Sequence, residues 1–306
     1  MNQIKYVNPE TGEIFTHEQL RAMLSAETRQ ISAEQKTGLE RRNRAYVEKH
    51  TDKRTFLKYS RLLRGLHPKL SVVQSSALLH LSLHIYMNGS GLIKTGELYC
   101  VDEKNAMTMK EMASVVGKSR QGMINIVEHL TSLEIIEVNR SDGRNPTYSI
   151  SEKYISYGAG ENMRKNHVKL YRGEMKERTK ALPNPKQHLY MDMLTDTEAG
   201  ILFKLLAYVH EQHFILCSNP TEKDMQRVKY MTARELAEVC GIKYTTFRNA
   251  LVGLRRKGVI GKFSSGITVN KGDAHVLNPK IVDCGALMDE ETRGTVRSLF
   301  EITAQK

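Results

Sequence analysis

Apolar positions return with a helical period in two separate parts of the chain, and the same succession of residues follows each. The first is "SVVQSSALLHLSLHIY" over 71–86, where Val73, Ala77, Leu81 and Ile85 recur every four residues. The second starts near Thr195 in "TDTEAGILFKLLAYVHEQHFI", with Thr195 and Glu198 at the spacing of a capping box. Ahead of the first, "NPETGE" predicts an irregular or hairpin start over 1–15, Thr16 predicts the cap of a helix over about 17–29, and a charged helix is expected over 33–50. The stretch "RRNRAYVEKHTDKRTFLKYSRLLRG" has too few apolar positions for a buried helix. It reads as a basic arm or a helix laid over a surface. "GLIKTGELYCV" reads as a short strand pair, and residues 158–194 as a polar connector whose Pro183 and Pro185 oppose a long helix.

Sliding the chain against itself by 124 residues explains the similarity. Met107 and Thr108 fall on Met231 and Thr232, Glu111 on Glu235, Ala113 on Ala237, Val115 on Val239, Gly117 on Gly241 and Asn125 on Asn249. Apolar character is kept at Met112 and Leu236, Met123 and Phe247, Val127 and Leu251, and Leu130 and Leu254. In each copy a Thr caps a helix of about eight residues, "MKEMASVV" or "ARELAEVC", and a Gly ends it because Gly tolerates positive φ at a helix C-terminus. Lys118–Ser119 and Lys243–Tyr244 are expected to make the turn, which matches Lys118 with Lys243. A second helix follows in "RQGMINIVEHLTSL" or "YTTFRNALVGLRRK", then a β-rich segment, "EIIEVNR" or "VIGKFSS", and an apolar return, "TYSI" or "AHVL".

Helix, turn, helix and hairpin in that order predict a winged helix-turn-helix. The expected fold class is therefore mainly α with small β-hairpins (α+β), as tandem winged helix-turn-helix domains. The domain reading is a basic helical N-terminal region over 1–70, a first module over 71–157, the connector over 158–194, a second module over 195–283 and a C-terminal helical tail over 284–306.

Charge sharpens the reading. The chain has 46 Lys and Arg against 34 Asp and Glu, an excess that favours an anionic partner. From Lys36 to Lys69 eleven residues are basic and three acidic, and from Asn162 to Lys186 eight are basic and two acidic. In a helix-turn-helix the second helix presents its N-terminal end to the major groove. The candidates are Lys118, Ser119, Arg120, Gln121 and Asn125 in the first copy, and Lys243, Tyr244, Thr245, Thr246, Arg248 and Asn249 in the second. Hydroxyls suit phosphate, Arg forks onto guanine, and Asn pairs with adenine. Arg140 and Arg144 around the Asp-Gly turn of "NRSDGRNPT", and Lys262 and Lys271 in "GKFSSGITVNKGD", place cations on the two hairpins. Arg255, Arg256 and Lys257 lie near a helix C-terminus, where they also suit the dipole. Two heads imply two DNA contacts, and a tethering connector gives the second a high effective concentration.

Residues 195–282 resemble the RepL-type replication proteins of Firmicute plasmids. The resemblance lies in "TARELAEVCGIKYTTFRNALVGLRRKGVIGK" followed by "AHVLNPKIV", with Leu277, Asn278 and Pro279 as the "LNP" motif. It implies initiation of plasmid or plasmid-like phage DNA replication by origin binding, and it covers less than a third of the chain. Phage or plasmid transcriptional regulation through the same two heads is the alternative, and a partner-binding protein built from degenerate winged domains is a third.

Catalytic groupings are not legible. No Gly-x-x-x-x-Gly-Lys-Ser/Thr loop occurs, and no tyrosine sits beside a His-x-His pair. His80 and His84 have metal spacing without a third ligand, and His210 and His213 are read in the same way. Cys100, Cys217, Cys240 and Cys284 form no close pair. No enzyme activity, cofactor or metal is expected. The start lacks a signal peptide's apolar core and no membrane-length apolar run occurs, so a cytoplasmic location is expected. The expected partners are double-stranded DNA with two half-sites, host replication or transcription proteins, and a second copy in a homodimer.

Overall fold

The computed structural model describes residues 5–7, 14–16, 55–86, 91–93, 106–140, 146–157, 167–179, 193–264, 273–284 and 300. They fall into two units, Met1–Lys53 and Arg54–Lys306. In the first, β1 (Lys5–Val7) and β2 (Ile14–Thr16) pair antiparallel, with Lys5 opposite Thr16. The helices expected over 17–29 and 33–50 lie outside the described residues.

The second unit is a mixed α+β fold of several helices and small antiparallel sheets. Local hydrogen bonds set most helix ends. Helix α1 (Val72–Ser82) starts at a capping box in which Ser71 and Gln74 satisfy each other's backbone N–H groups. Helices α2 (Met109–Val116) and α3 (Arg120–Ser132) follow, with Thr108 and Glu111 boxing the start of α2. Helices α5 (Asp196–Leu205), α6 (Ala233–Cys240) and α7 (Tyr244–Arg256) repeat the series, boxed by Thr195 with Glu198 and by Thr232 with Glu235. Gly117 and Gly241 both sit in the left-handed region, at φ 68° and 69°, where a side chain would be strained. The helix starts at 72, 109 and 120 match those at 196, 233 and 244, so the 124-residue repeat reaches back into α1 and α5.

The apolar stripe expected on the first helix describes it poorly. Val73 is 44% exposed and Ile85 lies beyond the helix, bridged to Ile93. From Ser75 to Ser82 every residue of α1 is buried, and α5 is buried throughout from Glu198 to Leu205. Helices enclosed on all sides lose their amphipathic signature. They cross at backbone contact: a Cβ on Gly200 would lie 2.0 Å from the Val72 carbonyl oxygen.

Strand pairing joins the two copies further. Strand β3 (Phe56–Ser60) pairs antiparallel with β7 (His167–Tyr171), Lys58 opposite Lys169 at the centre. The outer strands are β6 (Ile155–Tyr157) beside β3 and β10 (Val282–Asp283) beside β7, giving the order β10-β7-β3-β6. An antiparallel pair has a local dyad. Here it passes between Lys58 and Lys169, with β3 ahead of the first repeat and β7 ahead of the second. Residues 56–60, read from sequence as part of a basic arm, are thus a central strand with Leu57 and Tyr59 buried. The connector is likewise structured where described: Val168, Leu170 and Tyr171 of β7 and Met175 of α4 (Arg172–Thr179) are buried. Two ribbons complete the fold, β4 (Ile136–Asn139) with β5 (Thr147–Ile150), and β8 (Ile260–Ser264) with β9 (Asp273–Leu277). A single hydrophobic cluster runs from Leu57 through both repeats to Cys284 and Phe300, the described residues of the C-terminal tail.

Candidate nucleic-acid interface

The two-helix unit α2–α3 and its repeat α6–α7 turn their apolar faces inward. Met123, Ile126, Val127 and Leu130 of α3 are buried, as are Phe247, Ala250, Leu251 and Leu254 of α7. The opposite faces carry the residues singled out from sequence. Ser119, Arg120, Gln121 and Asn125 are exposed, and so are Lys243, Tyr244, Thr245, Thr246, Arg248 and Asn249. Gln121 donates from Nε2 to Asn125 Oδ1 at 3.0 Å, one helical turn away.

Lys118 departs from the expected register. Matching N-caps are Ser119 and Lys243, so Lys243 corresponds to Ser119, and Lys118 corresponds to Ile242. The left-handed glycine fixes the cap two residues later in both copies, so the shared lysines fall one residue out of register. Lys118 is half-buried, and its Nζ donates to Asp196 at the start of α5 at 2.5 Å. It links the turn before α3 to the other repeat. The caps also differ chemically: Ser119 Oγ accepts from the Gly122 N–H, whereas Lys243 gives α7 no side-chain cap.

The ribbons add charge beside the helices. Arg140 is exposed at the end of β4, and Lys262 is exposed on β8. Burial raises the pKa of the Tyr148 phenol, while the charges of Arg140 and Arg120 pull it down, so both cations act on one hydroxyl of the ribbon. Arg144 and Lys271 lie outside the described residues.

Two residues were missed from sequence. Lys110 and Arg234 occupy the same position in the first turns of α2 and α6, and both are exposed. The Arg234 guanidinium stands 5.9 Å from the Tyr244 ring centroid. A cation in the first turn opposes the helix dipole, and both copies place one there. The 124-residue spacing of Lys110 and Arg234 was the signal that would have found them.

The far ends of the exposed helices are engaged in structure. Lys257, at the C-cap of α7, forms an ion pair with the buried Glu198, and a Cβ on Gly253 would lie 1.9 Å from Glu198 Oε1. Arg178 of α4 donates to the Lys257 carbonyl at 2.7 Å, and Arg255 Nη2 lies 3.4 Å from His275 Nδ1. Arg256 alone of the basic trio is exposed. His80 is buried in α1. His210 donates from Nε2 to the Glu222 carbonyl and accepts the Gln212 N–H at Nδ1, with its ring stacked 5.2 Å from His213. Among the described residues no three His, Cys, Asp or Glu side chains cluster as metal ligands, and no helix is long and apolar enough to cross a membrane.

Comparison with protein-family models, with curated proteins and with solved structures finds no match to this chain. The functional reading therefore rests on the interface itself.

Proposed function

We propose that the chain binds double-stranded DNA through two winged helix-turn-helix heads, α2–α3 with the β4–β5 wing and α6–α7 with the β8–β9 wing. The observation that carries this reading is the paired set of polar faces on α3 and α7, exposed at the same register on two like-built units, with Arg120 on the first and Lys243 and Arg248 on the second. Initiation or control of plasmid or phage replication at an origin is the role favoured by the RepL-type resemblance of residues 195–282. Transcriptional regulation uses the same contacts, and the location of the bound sites separates the two: iterated origin sequence for the first, promoters for the second.

The architecture makes the DNA geometry specific. A flexible tether allows many half-site spacings, but the heads here share the β3–β7 pairing, the α1–α5 crossing and the Lys118–Asp196 link. One chain then reads two unlike half-sites at one fixed spacing, so inserting about 5 bp, half a helical turn, between them should abolish joint binding.

Arg120→Ala and Arg248→Ala are each expected to weaken duplex binding by about 1–3 kcal/mol and to leave thermal unfolding unchanged, since both side chains are exposed. Unchanged affinity in both variants, measured by titration of fluorescent duplex, sinks the reading. Lys243→Ser gives the opposite signs for stability and binding. The serine supplies the cap that Ser119 supplies in the first head, adding about 0.5–1 kcal/mol of stability. DNA affinity falls because a phosphate-facing cation is lost, and the slope of log K against log salt flattens by about one. Denaturant melts and salt titrations measure the two effects.

A further inference from the structure

We infer that the half-site read by α3 contains an adenine recognised by Asn125, with Gln121 as the positioning residue that sets the Asn125 amide. This rests on the DNA-binding reading above and deepens it from a class of partner to a base.

The Gln121 and Asn125 side chains are both exposed on one face of α3, and Gln121 Nε2 donates to Asn125 Oδ1 at 3.0 Å. A side-chain amide is nearly symmetric in shape, so its neighbours decide which end is oxygen and which nitrogen. In this arrangement the Asn125 oxygen faces Gln121 and the nitrogen faces away. Among the described residues no other group engages the Asn125 amide. Oδ1 keeps a second lone pair and Nδ2 keeps two hydrogens, so Asn125 presents one acceptor and one donor outward, side by side.

That pair complements one base edge in the major groove. Adenine offers the N6–H donor and the N7 acceptor, whereas guanine offers two acceptors, O6 and N7, so that O6 opposes the Asn125 oxygen. Cytosine and thymine lack the adjacent donor–acceptor pair. Preset orientation removes the cost of ordering the amide when DNA arrives. The second head lacks this arrangement, because Asn249 holds the register of Asn125 but Thr245 stands where Gln121 does and carries no amide. Adenine discrimination should therefore be sharper in the first half-site than in the second.

The test uses the full chain and a duplex enriched by wild-type protein from a random-sequence pool. Each adenine is replaced in turn by 7-deaza-adenine, which removes the N7 acceptor and keeps the Watson–Crick pair. Wild-type protein should lose about tenfold or more in affinity at one adenine. Asn125→Ala should bind the normal and 7-deaza duplexes within about twofold of each other at that position. Gln121→Glu keeps the side-chain size but can only accept, so it turns the Asn125 amide over and brings the ratio towards one. Gln121→Ala frees the amide and gives an intermediate ratio. Each result is a ratio within one protein, so a partly folded preparation does not imitate it. If Arg120→Ala still weakens binding but no adenine shows an Asn125-dependent loss, the inference falls and the DNA reading stands. If the pool yields no enriched duplex, the DNA reading falls and takes this inference with it.

Discussion

Lys204→Met should destabilise the protein by about 3–5 kcal/mol, although methionine replaces a buried charge with an apolar chain of similar length. Lys204 is 1% exposed, and its Nζ donates to the carbonyls of His67, Leu70 and Cys240 at 2.9, 2.6 and 2.9 Å. Burial lowers its pKa from the ordinary lysine value. Two effects compete in this substitution. Removing a desolvated ammonium relieves a cost and on its own stabilises. Against that, three fixed backbone acceptors lose their donor in a buried site. The acceptors decide the sign here, because Cys240 is the last residue of α6 and its carbonyl belongs to the negative end of that helix. Reversible denaturation of the variant checks this; equal or greater stability than wild type overturns it. The lysine also ties one repeat to the other, since His67 and Leu70 precede α1 while Cys240 leads through Gly241 to the turn before α7. Under the proposed DNA-binding reading, loss of the link should relax the half-site spacing before it abolishes binding.

Acid should act mainly through His67. Its ring is buried against Phe203 and Tyr208, and among the described residues neither ring nitrogen has a hydrogen-bond partner. Burial, followed by the charges of Lys204 and Arg64, pushes its pKa down from 6.5 to about 3. The unfolded chain therefore binds a proton that the folded protein refuses. The stability associated with neutral His67 is complete above pH 6.5 and is lost as the pH falls towards 3, at about 1.4 kcal/mol per unit. Between pH 7 and pH 5 the wild type should lose about 2 kcal/mol more than His67→Phe, which keeps a ring in the site and does not titrate. Urea melts at the two pH values measure the difference. Equal losses in both proteins would place the acid sensitivity elsewhere. His80 and His210, whose pKa values burial also lowers, are then the next groups to test.

These two residues show where sequence reading stops. The Thr caps at Thr108 and Thr232, the capping box of Thr195 with Glu198, the glycine ends at Gly117 and Gly241, and the extents of α2 and α6 were legible, as were the ribbon strands "TYSI" and "AHVL". Each depends on neighbours within a turn or on one residue's allowed φ. The exposed face of α7 was legible for the same reason, because Phe247, Leu251 and Leu254 fix the phase of everything between them. Legibility failed where a charged residue found a distant partner. "FLKYS" alternates buried and half-buried positions as a strand should, yet its basic surroundings argued for a surface arm until β7 supplied the pairing. Lys118 looked like Lys243 until Asp196 occupied it.

By itself the sequence determined the two repeated units, because caps, glycine conformations and helical periods are short-range physics written in neighbouring residues. Only the tertiary structure decided that those units share one core joined by the β3–β7 pairing, and that Lys204 and His67 are buried within it. The reason is physical: the partners of Lys204 are backbone carbonyls, which every residue carries and no side-chain pattern reveals, and they come together only when the chain has closed.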